Sequence, residues 1–176
     1  NLSFNRMQLK GQRKLGIRMM PSNHLGMIQK KAEEMGKPLE VAVVIGCHPF
    51  ELIAAASSPP YGVDEFTIAS AFRKEPLELV KCKTVDIEVP ANAEIVIEGE
   101  VLPHVREPEG PFGDFMGYYI PVMDNHVLHV KAITMRKDAL FQVMKAGSAE
   151  DSRLLGISRE AGILKAVEAM GAQVKA

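Results

Sequence analysis

Glu94-Ile95-Val96-Ile97-Glu98-Gly99-Glu100-Val101 decides how the rest of the chain is read, because Ile95, Ile97 and Val101 alternate with Glu94, Glu98 and Glu100. A period of two puts successive side chains on opposite faces, so the stretch reads as a strand. Upstream, Leu77-Glu78-Leu79-Val80-Lys81-Cys82 and Ile87-Glu88-Val89 alternate in the same way. Downstream, Val127–Met135 and Ala139–Val143 flank Arg136-Lys137-Asp138 and read as a hairpin. Together these runs describe an antiparallel meander. Nearer the start, the alternating run Leu2–Leu9 turns through Lys10-Gly11-Gln12-Arg13 into Leu15-Gly16-Ile17-Arg18-Met19, a further hairpin. Leu39–Ile45 is a nearly continuous apolar strand ended by Gly46.

Helices fill the gaps. After Pro21, Ser22 or Asn23 can cap a helix with the stripe Leu25, Ile28, Ala32 and Met35, and Gly36 supplies its stop. Pro49 opens a second through Phe50, Leu52, Ile53 and Ala56, since proline is tolerated in a first turn. Asp64 can cap a third, Glu65–Phe72. Ser158 caps a last one carrying Ile163, Leu164, Val167 and Met170, stopped by Gly171. Short strands with helices between them predict an α+β domain on an antiparallel sheet, curled into a barrel.

The 176 residues suit one core, with 47% apolar and 24% charged residues and a formal net charge of -1. No charge field points to nucleic acid or a membrane surface, and the longest apolar runs fall well short of the roughly 20 residues a membrane helix needs. No secretory signal is read, and Cys47 and Cys82, without close spacing, read as reduced thiols of a cytoplasmic protein. The chain begins at Asn1 inside a strand-like run, so it reads as a piece of something longer.

Chemistry concentrates in Glu109-Gly110-Pro111-Phe112-Gly113-Asp114-Phe115-Met116-Gly117-Tyr118-Tyr119. Proline lacks an N–H and glycine takes backbone angles closed to other residues, so the chain turns tightly here and presents Glu109 and Asp114 near each other. Two neighbouring carboxyls in an apolar, aromatic site do not both ionise easily, and such a pair can do acid and base work. The alternative is a surface hairpin whose acids only solvate it. Arg6 falls on the side of Leu2 and Phe4, where a charge calls for an anionic partner.

The order and spacing of Asn1 and Arg6, Asn23-His24, Glu65, Lys81-Cys82, the run from Val89 to Gly99 and Pro108-Glu109-Gly110-Pro111-Phe112-Gly113-Asp114 resemble the UbiD family of reversible decarboxylases, from Asn1 to about Gly147. The resemblance implies a flavin-reductase-like split β-barrel with peripheral helices, and a single central cofactor- and metal-binding domain over residues 1–176 of a longer chain. It implies prenylated flavin mononucleotide (prenylated FMN), a divalent metal such as manganese (Mn2+), and potassium (K+). By position, Asn1, His24 and Glu65 match metal ligands, while Arg6, Glu109 and Asp114 match a catalytic arginine and two acids. Phe4, Asn5, Arg6, Asn23 and His24 match stretches that contact the flavin.

The activity implied is decarboxylation of an aromatic, heteroaromatic or α,β-unsaturated carboxylic acid, with a flavin prenyltransferase supplying the cofactor and a homo-oligomer at full length. Asp114 replaces a glutamate of some relatives, Ala55-Ala56-Ser57-Ser58 departs from a serine-rich version, and Ala149–Ala176 matches least. Two other readings stand beside it. One is a cofactor-binding or assembly module, inert alone; the other is an ordinary flavin oxidoreductase, for which no Gly-rich dinucleotide turn is present.

Overall fold

In the computed structural model, which describes residues 2–171, the alternating stretch opens a strand of 15 residues. In chain order the elements are β1 (Met7–Gly11), β2 (Lys14–Ile17), α1 (His24–Glu34), β3 (Leu39–Ile45), α2 (Pro49–Ala56), α3 (Glu65–Arg73), β4 (Leu79–Lys81), β5 (Glu88–Pro90), β6 (Ile95–Glu109), β7 (Phe112–Gly113), β8 (Tyr119–Ile120), β9 (Met123–Met135) and α4 (Ala149–Ala169). Five strands pair in the order β1-β2-β9-β6-β3, antiparallel throughout, and β4–β5 and β7–β8 form separate two-stranded pieces. The domain therefore mixes helices with antiparallel sheet, as the alternating runs predicted.

The expected barrel is not closed among the described residues. β1 pairs only with β2, and β3 only with β6, so the two edges of the five-stranded sheet do not meet. Residues 2–5, read as strand, direct their backbone donors away from the sheet: Leu2 N–H donates to Glu65 Oε2 at 2.9 Å and Phe4 N–H to the Ala55 carbonyl at 3.1 Å. The strand begins only at Met7.

One face of the sheet carries the core. Ile17, Met19, Val41, Val101 and Leu128 are buried there, with Met7, Leu15, Leu25, Leu39 and Val43 packed against them. Full burial of each such side chain is worth about 1.5–3 kcal/mol before chain entropy is counted. α1 lies against β6, and α2 packs on both α3 and α4. Ala54 and Ala69, each 0% exposed, leave the helices room to approach, and Arg73 Nη1 ties α3 to α2 at 3.3 Å from Glu51.

Two expectations fail for stated reasons. Ala139–Val143 forms no strand, because the chain after β9 turns towards the start of β6, where Leu140 N–H donates to Glu94 Oε2. Ser158 is not a cap but lies within α4, whose cap is Ser148, accepting from Asp151 N–H at 3.2 Å with Glu150 and Asp151 in the first turn. Ile163 and Met170, expected on this last helix, are 64% and 77% exposed.

Candidate functional site

The segment before β1 joins two clusters. At its start, Glu65 is 2% exposed at the first position of α3, and its Oε1 lies 3.4 Å from His24 Nδ1 at the first position of α1. Asp64 caps α3 by accepting from Phe66 N–H, so the helix start is fixed and Glu65 with it. His24 also meets Tyr61 edge-on, ring centroids 5.3 Å apart. Phe4, Asn23, His24, Ser57, Ser58 and Arg159 are among the residues lining a cleft of about 200 Å³. Asn23 takes the capping position of α1 without a side-chain cap bond, and no acidic residue occupies the first turn.

Two residues beyond Phe4, Arg6 is exposed, and its Nη1 donates to the Gly113 carbonyl at 2.9 Å while the guanidinium sits 4.0 Å from the Phe112 ring centroid. Both contacts tether it to the acid-bearing loop. Among the described residues Arg6 makes no ion pair with Glu109 or Asp114; its near contacts are the Gly113 carbonyl and the Phe112 ring.

The two acids stand in different settings. Glu109 closes β6 at 2% exposure; its Oε2 accepts from Asn125 Nδ2 at 2.7 Å, and its Oε1 is buried without a partner. Asp114 is half-buried, and its Oδ1 accepts from Phe115 N–H at 2.8 Å. Between them Gly110 adopts φ +105°, a left-handed angle that only glycine takes easily, and Gln8 Oε1 holds its N–H at 3.0 Å. Phe112 and Gly113 form a short hairpin with Tyr119 and Ile120.

Of the predicted site residues, then, His24 meets Glu65, Phe4 and Asn23 share their cleft, and Arg6 reaches the loop of Glu109 and Asp114. Asn1 lies outside the described residues. Asn5, half-buried, donates to Ser3 Oγ at 3.4 Å and is not among the described residues lining the cleft. Among the described residues no group of three His, Cys, Asp or Glu side chains gathers as a metal site. The imidazole and carboxylate of His24 and Glu65 nonetheless suit a hard or borderline divalent ion, and an uncapped helix start suits a phosphate. At about 200 Å³ the cleft is smaller than the roughly 300–1,000 Å³ usual for whole ligands. Both cysteines are free, and burial, with Glu51 adding to it, pushes the Cys47 thiol up to about 12.

Sequence reasoning missed Gly16, Asn125, Gln8 and Arg159. Gly16 alone carried a signal, since a glycine inside an alternating strand marks a close approach. A Cβ there would fall 2.6 Å from Glu109 Oε1.

The domain thus carries a histidine–carboxylate pair in a cleft at one end of the segment before β1 and an arginine-tethered acid loop at the other. A family model described as 3-octaprenyl-4-hydroxybenzoate carboxy-lyase Rift-related domain matches residues 1–149. The chain belongs to this UbiD family. It is 40% identical to an anhydromevalonate phosphate decarboxylase of Methanothermobacter thermautotrophicus over 96% of this chain and 39% of that protein. It is 35% identical to a phenolic acid decarboxylase of Bacillus subtilis, over 90% and 34%. Among solved structures, an evolved dimeric form of the UbiD-class enzyme HmfF from Pelotomaculum thermopropionicum, in complex with prFMN, superposes with a TM-score of 0.93 at 48% identity, over 95% of this chain and 39% of that one. The chain thus spans well under half the length of these relatives.

Proposed function

We propose that this chain is the central cofactor- and metal-binding domain, residues 1–176, of a longer enzyme that reversibly decarboxylates an aromatic, heteroaromatic or α,β-unsaturated carboxylic acid with prenylated FMN. Glu109 carries the reading: a carboxyl at 2% exposure with an unpartnered Oε1, beside a loop that Arg6 grips. The names of the relatives, which cover a phosphorylated acid and phenolic acids, support a proposal at the level of substrate class.

When bound, the flavin supplies an electron sink for the carbon–carbon bond that breaks. Arg6 is exposed and commits one donor to Gly113, so the rest of its fork remains for two parallel hydrogen bonds to a substrate carboxylate. Glu109 gives a proton to the carbon that carbon dioxide leaves, a contribution of about 10²–10⁴ in rate, and takes it back in the carboxylating direction. Asp114, nearer solvent, shapes the pocket for its substrate. His24 and Glu65, with Asn1, would hold a divalent ion such as manganese, with potassium as a second cation, and Phe4, Asn5 and Asn23 would contact the flavin. A flavin prenyltransferase supplies the cofactor, and the full-length enzyme works as a cytoplasmic homo-oligomer.

The test is Glu109→Gln in the full-length protein produced together with a flavin prenyltransferase. Carbon dioxide release should fall by about 10²–10⁴ with flavin absorbance retained; decarboxylation at the unaltered rate removes the assigned role. The small cleft favours a second reading, in which these residues bind cofactor only weakly alone and act as an assembly module. Flavin absorbance and metal content of this chain by itself decide between partial binding and none.

A further inference from the structure

The acid loop forms no ladder with β1, whose strand partner is β2, yet three side chains tie it there. Arg6, just before β1, and Gln8 and Lys10 on it are spaced by two, so they share one side of the extended chain. Each ends on a main-chain atom of residues 108–113, in reverse order. Lys10 Nζ donates to the Pro108 carbonyl, Gln8 Oε1 accepts from Gly110 N–H at 3.0 Å, and Arg6 Nη1 donates to the Gly113 carbonyl at 2.9 Å. Met7, between Arg6 and Gln8, packs against the core, so β1 is a fixed base for these ties.

The three ties are not equal. Pro108 stands opposite Asp124 in the β6–β9 ladder, so its place is set without Lys10. Gly113 is paired with Tyr119 in the β7–β8 hairpin. Between these paired stretches lie Gly110, at φ +105°, and Pro111, which has no N–H. Gly110 N–H is thus the one main-chain donor between Glu109 and Phe112, and Gln8 takes it. Gln8 stands opposite Gly16 in the β1–β2 ladder, so no side chain of its partner residue intervenes. Rotation about Gly110 would carry Phe112, Gly113 and Asp114 together, and with them the ring and carbonyl that hold Arg6. We infer that Gln8 is a positioning residue: it locks the Gly110 hinge and so sets how the Arg6 guanidinium and the Asp114 carboxyl stand relative to each other. This rests on the reading of the parent enzyme as a decarboxylase that works through the Arg6 loop, and not on which acid moves the proton.

The experiment uses the full-length holoenzyme with Gln8→Met, which keeps the length and loses the acceptor, and Lys10→Met, which cuts the tie to Pro108. In Gln8→Met, hydrogen exchange read by mass spectrometry should be roughly tenfold faster in fragments spanning residues 110–120, the scale of a donor left unpaired, and unchanged in β2 and β9. kcat should fall by roughly tenfold, with KM within about twofold and flavin absorbance retained. Lys10→Met should change neither exchange nor kcat by more than about twofold. Faster exchange with intact kcat makes Gln8 a structural tie only, and equal losses from both substitutions mean that β1 is merely loosened; either result overturns the positioning role. Should Gln8→Met fail to fold, the unsubstituted enzyme still tests the lock, since rapid exchange of its Gly110 amide overturns it. If the unsubstituted enzyme decarboxylates no acid, the functional reading fails, while the exchange rates still report whether Gln8 holds the hinge.

Discussion

Glu98 and Glu109 sit on the same strand, 1% and 2% exposed, and are opposite kinds of buried acid. Glu98 is saturated: Lys83 N–H reaches both its oxygens at 3.0 Å, Thr84 N–H donates at 2.6 Å and Thr84 Oγ1 at 2.7 Å. Burial alone would push its carboxyl up, but these donors outweigh it and hold Glu98 below the usual carboxylate range. The effect is to pin the excursion between β4 and β5 to the sheet. Glu109 has one amide on Oε2 and nothing on Oε1. Burial thus says little about purpose, and the count of satisfied lone pairs says more: a saturated carboxylate is committed to structure, whereas a half-satisfied one keeps capacity for chemistry.

The largest expected effect on stability tests the saturated side. Glu98→Ala removes a charged acceptor of several hydrogen bonds and should destabilise by about 2–4 kcal/mol, read by urea unfolding, while Glu109→Gln should change stability far less. Equal losses from the two substitutions would erase the distinction.

His126 sharpens it from another direction. It is 8% exposed on the core face, both ring nitrogens are buried and unpartnered, and it lies opposite Arg106 with Glu33 beyond. Burial first, then Arg106, pushes its titration from 6.5 down to about 4. The unfolded chain therefore binds a proton at higher pH than the folded one. Stability falls as pH drops from 6.5 towards 4, by about 3 kcal/mol once both states are protonated. Glu33, held at about 2 chiefly by its hydrogen bond to Arg106, adds stability above 4.5 that is lost as pH falls towards 2. His126→Phe should flatten the upper window, between 6.5 and 4.5, and leave the lower one. An unmatched buried group is not by itself functional; His126 is apolar packing with a pH liability, whereas Glu109 directly precedes the loop that Arg6 contacts.

Much of this architecture was legible. Leu39–Ile45 and the helix from Pro49 were readable to the residue because a hydrophobic run ended by glycine and a proline in a first turn are local signals, and the Asp64 cap was as local. The length of β6 was not, since Pro103, Pro108 and the left-handed His104 interrupt any alternation, and the strand continues only through a register shift between Val101 and Arg106. The path of residues 139–143 is likewise a tertiary fact, since the Leu140 N–H is taken by the Glu94 carboxyl at the start of β6. His24 and Glu65 meet through two helix starts far apart in the chain, so only the family resemblance grouped them. Asn125 had no signal, because an asparagine ahead of a strand reads as turn.

Gly16→Ala gives the smallest change in stability and the most selective test. The added methyl fits β2 by propensity, so unfolding should shift by about 1 kcal/mol or less. Yet it would stand 2.6 Å from Oε1 and 3.0 Å from Cγ of Glu109, closer than atoms approach, and Asn125 opposes any swing of the carboxyl. The carboxyl must therefore shift by a fraction of an ångström or more, and misplacement on that scale should lower the full-length enzyme's kcat by roughly tenfold to a hundredfold. Were Gly16→Ala instead to unfold the domain as Glu98→Ala does, with kcat per folded molecule intact, Glu109 would belong with Glu98 among the structural acids. A loss of rate in a protein that melts normally leaves the two glutamates on opposite sides.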